Sequence, residues 1–155
     1  MGREMLAAVE SSSTDDLAVC RIVWWPWSPA TEDQEREMTL GDLQAAVRGY
    51  EAAWNETDAD ERMSALESAW ADDAVYVDDD VPDGLRGRDA LSTFIAKEHK
   101  REPGLVITTT RELVILGDRG WLQWTAHSAT GSQSGTDFIE FAADGRIARL
   151  TDFID

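Results

Sequence analysis

Three polar side chains stand where the surrounding pattern calls for apolar ones: Tyr50, Asp78 and Asp137. Tyr50 falls between Val47 and Trp54 on a stripe of helical spacing. Asp78 ends a run of alternating β-type residues and, by period two, shares a face with Tyr76. Asp137 precedes Phe138, Ile139 and Phe141, a setting in which a carboxylate is costly unless hydrogen-bonded or protonated. Two carboxyls and a phenol in apolar surroundings form an acid–base constellation, the equipment of proton transfer. His127 lies on the preceding strand, and a hairpin turning near residue 132 would set it across from Asp137 on one face. Trp54, Phe94 and Trp124 are the aromatic candidates, with His127, for lining a substrate pocket. Each polar group also has a structural reading. Tyr50 fits a core tyrosine with a satisfied hydroxyl, and a buried Asp137 can pin strand geometry through backbone hydrogen bonds.

Other chemistry is poorly supported. Asp78, Asp79, Asp80 and Asp83 invite a metal reading, but EF-hand spacing fails because Val81 or Pro82 falls at a ligand position. No metal site and no cofactor is expected. His99, among Lys97, Lys100 and Arg101, suits the C-terminal end of a helix, where a cation complements the dipole. The pattern contains no Gly-rich phosphate cradle, nucleophile elbow or Cys–His pair. Cys20 is the single cysteine, which excludes an internal disulfide. Asn55-Glu56-Thr57 matches a glycosylation sequon without any sign of secretion.

The elements that must position these residues begin at Thr39. Leu43, Ala46, Val47, Tyr50 and Trp54 predict a helix capped by Thr39 or Asp42. Asp58 and Glu61 resemble a capping box for a second helix with Met63, Leu66 and Trp70 inward. Ala74 to Asp78 predicts a short strand and Asp79 to Gly87 a loop. A third helix is expected over Asp89 to Lys100, with Leu91, Phe94 and Ile95 on one face, stopped by Pro103-Gly104. Four strands follow: Leu105 to Leu116, Trp121 to Thr130, Thr136 to Ala142 and Arg146 to Ile154. They are separated by glycine-containing turns, including one over Gly131 to Gly135. Helix, helix, strand, helix and a four-strand meander predict an α+β domain, three helices packed on a curved antiparallel sheet.

Residues 1–38 carry no consistent period. They are expected to be a non-core, disordered leader before a domain over 39–155. Trp24, Trp25 and Trp27 leave open a docking peptide, and Met38 leaves open a later start. The net charge of −17, with Lys97 and Lys100 the only lysines, repels phosphate backbones, and no nucleic-acid partner is expected. It fits either an ordinary acidic surface or a salt-rich cytosol, where screening removes self-repulsion. No apolar run approaches the ~18 residues that span a bilayer, and no membrane partner is expected. The expected location is cytoplasmic.

Several segments carry a resemblance. Ala71 to Asp78, Gly87-Arg88-Asp89-Ala90-Leu91, Thr136 to Phe141 and Asp144-Gly145-Arg146-Ile147 resemble the SnoaL-like branch of the NTF2-like superfamily. That superfamily includes ketosteroid isomerases and polyketide cyclases. The resemblance covers residues 39–155 and implies a cone-shaped α+β fold, a small hydrophobic ligand and a homodimer. It places Asp78 at the proton-shuttling carboxylate of the steroid isomerases, Asp137 at their protonated oxyanion donor, and Tyr50 at their oxyanion tyrosine if four extra residues separate the first two helices. In the cyclases the position near Asp137 resembles the general base instead. The pattern departs where Asp79 and Asp80 follow Asp78 in place of a common proline, which implies a wetter, more acidic mouth. The implied function is cofactor-independent proton transfer on a small apolar carbonyl compound, of isomerase or cyclase type. A non-catalytic ligand-binding module, or a dimerisation domain joined through an outer sheet face of Leu122, Trp124 and Phe138, are the alternatives.

Overall fold

The computed structural model describes residues 39–155; the leader expected over 1–38, with its tryptophans, lies outside the described residues. Helix α1 spans Leu40–Asn55. A reciprocal cap starts it: Thr39 Oγ1 accepts from Asp42 N at 3.2 Å, and Asp42 Oδ2 accepts from Thr39 N at 3.0 Å. Its stripe from Leu43 to Trp54, Tyr50 included, is buried. Helix α2, Ala59–Ala69, starts where Asp58 accepts from the backbone of Asp60 and Glu61. The two helices approach closely at Gly49, where a Cβ would stand 2.9 Å from the Cβ of Ala69. Buried Arg62 ties this helical pair down, donating to Ser92 Oγ at 3.0 Å and to the carbonyl of Glu56 at 2.9 Å.

Trp70, expected on the inner face of α2, is instead the first residue of β1, Trp70–Val77. The backbone turns extended there without a linker, and the indole is wholly buried. Leu85–Arg86, within the expected loop, forms a short strand β2 that pairs Tyr76 with Leu85. Helix α3 is Arg88–Arg101, with His99, Lys100 and Arg101 in its last turn complementing the dipole. His99 also has a structural task, its Nε2 lying 2.7 Å from the carbonyl of Trp54.

Strands β3 (Val106–Leu116), β4 (Arg119–His127), β5 (Ser132–Phe141) and β6 (Ile147–Ile154) make the expected meander. The described residues form three helices and one six-stranded sheet in the order β2-β1-β6-β5-β4-β3. The sheet is mixed rather than wholly antiparallel, because β6 returns beside β1 in parallel. Register shifts interrupt the β1–β6, β3–β4 and β5–β6 pairs. Bulges of this kind bend strands and curve the sheet, which stays unclosed between its edges β2 and β3. The β3 edge is partly covered: Asn55 Nδ2 donates to the carbonyl of Ile107 at 2.8 Å, and Asn55 Oδ1 accepts from its N–H at 2.7 Å. The Asn55 amide is therefore engaged, and a glycan attached to it would disturb both bonds.

The β4–β5 hairpin departs from expectation. His127 pairs with Ser132, so the turn occupies residues 128–131 and Gly135 lies inside β5. The cause is packing: a Cβ on Gly135 would stand 2.5 Å from Trp124 Cζ2 and 2.6 Å from the Phe153 carbonyl. Gly135 is the cleft into which Trp124 fits, not a turn residue. The shift moves Asp137 opposite Leu122 rather than His127. No helix among the described residues is long and apolar enough to cross a membrane.

Candidate functional site

Core residues from all three helices meet the inward residues of the strands, and at one end the packing leaves a cavity of about 70 Å³. Of the residues singled out in the sequence, Tyr50, Asp78, Asp137, Trp54, Phe94 and Trp124 all line it. His127 does not. It alternates away from Trp124 and Ala126 on β4, is exposed, and its Nδ1 lies 2.7 Å from Ser132 Oγ. The pairing of His127 with Asp137 is thus corrected, because the hairpin turns earlier than residue 132. The proposed outer face is corrected as well: Leu122 and Trp124 point inward and are buried, whereas Phe138 is 51% exposed. Phe138 is joined on the outer face by Phe153, edge to face at 5.6 Å.

The aromatic wall follows from α1 and α3 projecting onto β1. Tyr50 stacks on Trp70 at 5.7 Å. Trp54, Tyr76 and Phe94 stand about each other with ring centroids between 5.6 and 6.1 Å apart.

Asp78 leaves the end of β1 and is fixed by three donors. Its Oδ1 accepts from the N–H groups of Asp80 and Val81, each at 2.8 Å, and its Oδ2 from the Tyr76 hydroxyl at 2.9 Å. The same hydroxyl lies 3.4 Å from Asp152 Oδ2, and Trp124 Nε1 donates to Asp152 Oδ1 at 3.0 Å. Asp152 is a buried member of the cavity lining that the sequence reading missed. The signal was present: Leu150, Asp152 and Ile154 share a face by period two, as Asp137 does with Ile139 and Phe141.

Asp137 and Asp152 are direct partners across β5 and β6. Two carboxyls this close and this buried resist ionising together. Burial, then the charge of Asp152, pushes Asp137 well above the usual carboxylate range. Burial raises Asp152 to about 6, against the opposing hydrogen bond from Trp124. Asp137, the more deeply buried of the two, is the more strongly raised, and the pair resists losing both protons. Among the described residues Asp137 Oδ1 is buried and has no hydrogen-bond partner. Burial and the carboxylates of Asp137 and Asp152 raise the Tyr50 hydroxyl, which keeps it a donor.

The mouth is acidic and organised on Arg101, which reaches Asp80 Oδ2 at 2.7 Å and Glu98 Oε2 at 2.5 Å. Burial raises Glu98, with Arg101 opposing. Glu102 accepts from Ser128 at 2.7 Å and from Thr130, which hold it below the usual range. In the Asp78 to Asp83 loop, Asp78 accepts from the loop's own backbone and Asp80 from Arg101.

Comparisons with known proteins agree with this fold. A candidate isomerase of the SnoaL-like family from Agrobacterium tumefaciens is 25% identical, with a TM-score of 0.67 over 75% of this chain and 99% of its own. A candidate polyketide cyclase from Sinorhizobium meliloti is 23% identical, with a TM-score of 0.59 over 73% and 97%. A protein of ketosteroid isomerase-like fold from Catenulispora acidiphila, solved in complex with trimethylamine, is 18% identical, with a TM-score of 0.58 over 70% and 83%. No curated protein matches the chain. The model of the SnoaL-like domain matches residues 47–150, and the chain belongs to that family.

Proposed function

We propose that the chain is a cofactor-independent acid–base enzyme that moves a proton on a small carbonyl compound, as an isomerase or cyclase does. The observation that carries the reading is Asp137: a buried carboxyl whose neutral form is favoured, with one oxygen unpartnered, in an aromatic-walled cavity that also holds Asp78. Asp78 takes the proton beside the carbonyl. The developing oxyanion receives hydrogen bonds from Asp137 and Tyr50, both kept protonated by burial. Asp152 faces Asp137 across the strand pair, and its negative charge opposes ionisation of that partner. The similar folds described as a candidate isomerase and a candidate cyclase support this class of chemistry. The cavity volume favours a small substrate, since pockets for drug-sized ligands measure roughly 300–1,000 Å³.

A panel of small enolisable ketones tests the reading. Asp78→Asn should slow turnover by about a hundredfold or more, the usual worth of a general base. Asp137→Asn should be milder, because an amide still donates. The reverse ranking assigns the base to Asp137, in the cyclase-like manner.

A second reading rests on a specific observation. Three donors already engage Asp78, an arrangement that suits a structural anchor. In that case the pocket binds a small molecule without turnover, as the trimethylamine in the Catenulispora acidiphila fold illustrates for that protein. No turnover of any ketone, with ligand binding unaffected by Asp78→Asn, selects it. In both readings the exposed Phe138–Phe153 pair supports a homodimer joined through the outer face of the sheet.

A further inference from the structure

The charge of the cavity is at odds with a neutral apolar ligand. Four buried carboxyls, Asp78, Glu98, Asp137 and Asp152, line it, joined by the less buried Asp80 and Glu102. Arg101 is the one basic residue in the lining, and two of those acids already engage it. The wall is also aromatic: Trp54, Tyr76 and Phe94 cluster within about 6 Å of one another, with Trp124 also in the lining.

Aromatic faces present negative charge to whatever they surround, and carboxylates behind them add to the same field. In a partly desolvated cleft that field is screened less than at an open surface. Asp137, 3% exposed, adds a carboxyl oxygen that no group in the described residues satisfies. Among the described residues, no three acidic, imidazole or thiol groups stand close enough to hold a metal ion. The cavity therefore suits a larger, softly hydrated cation.

We propose that the pocket selects a small organic cation, an alkylated ammonium compound, with its charged head against the Trp54–Tyr76–Phe94 wall and toward the Asp137–Asp152 pair. This rests on the cavity being the ligand site, as the proposed function does, but not on turnover. A carbonyl and an ammonium group can belong to one molecule.

The test compares choline with 3,3-dimethylbutan-1-ol, its uncharged isostere, by calorimetric titration of the full chain. Half-molar potassium chloride is present to suppress loose counterion attraction to the acidic surface. Choline should bind at least about tenfold more tightly than the alcohol. That preference should fall to within about threefold in Asp152→Asn and in Phe94→Leu, each checked for folding by circular dichroism and melting. Three results overturn the proposal: equal or tighter binding of the alcohol, no saturable choline binding below roughly 10 mM (the weak end of measurable affinity), or a preference unchanged in both variants. If either variant fails to fold, the salt-resistant preference in the unmodified protein decides, with trimethylammonium and tert-butanol as the second pair. Ketone turnover that depends on Asp78, with no choline binding, would remove this inference and leave the proposed reaction standing. Choline binding without turnover of any ketone would do the opposite.

Discussion

Replacing Asp152 by asparagine isolates the energetics of the carboxyl pair. In the folded protein Asp152 is raised from an ordinary 3.8 to about 6, chiefly by burial. A carboxyl with a raised folded value stabilises the fold fully only below its unfolded value, near 4. Between about 4 and 6 the unfolded chain has lost the proton and the folded chain retains it, so stability falls as pH rises. Above the folded value the loss is complete and the curve flattens. A shift of about two units, at about 1.4 kcal/mol per unit, makes that loss about 3 kcal/mol. Asparagine has nearly the same shape, can accept from Trp124 and can donate toward Asp137, but does not titrate. Urea unfolding of both proteins from pH 4.5 to 8 should therefore give curves that diverge with pH, the variant gaining about 2 kcal/mol on the unmodified protein across that range. Taking the difference between the proteins cancels the titration of the many surface carboxylates. Parallel curves would refute the claim that burial governs Asp152. A divergence of opposite sign would show that Trp124 and Tyr76 hold the ionised form more strongly than burial opposes it.

Three further outcomes follow from named contacts. Gly135→Ala should cost about 3 kcal/mol in urea unfolding, since its Cβ meets the Trp124 ring and a backbone carbonyl that cannot both yield; a cost below about 1 kcal/mol would mean that β5 shifts to admit it. Tyr76→Phe removes the hydroxyl between Asp78 and Asp152; it should cost about 1–3 kcal/mol and move the midpoint of Asp152, followed by carboxyl NMR, above 6. With a net charge of −17, the urea midpoint should rise from dilute buffer to molar potassium chloride, and an unmoved midpoint would contradict self-repulsion as a main destabilising term.

The helices were legible because their apolar stripes are long and their caps local: Thr39, Asp58 and the basic turn at His99 act where the pattern places them. The class of fold followed from element order. What local pattern could not supply was strand register. Gly135 looks like punctuation until Trp124 is seen lying against it, and that contact joins two strands. The error passed directly into the site, separating His127 from Asp137. Tyr50, Asp78 and Asp137 were found because each breaks an apolar pattern on its own. Asp152 breaks one too, but its importance comes from facing Asp137 across β5 and β6, a pairing no single segment records. The parallel β1–β6 contact was hidden for the same reason, as it joins the first and the last strand of the described residues.

The position of β6 between β1 and β5 has a consequence for how the protein comes into being. Until Ile147–Ile154 has left the ribosome, the remaining strands are two disconnected sheets, β2-β1 and β5-β4-β3. Each of these then shows a bare edge, at β1 and at β5, and bare edges pair with strands of other chains. The lining of the cavity is equally unfinished, since Asp137 gains its partner only when Asp152 arrives. A nascent chain stalled before residue 147 should therefore be a substrate for chaperones, and the emergence of β6 joins the two sheets and completes the site in one long-range step.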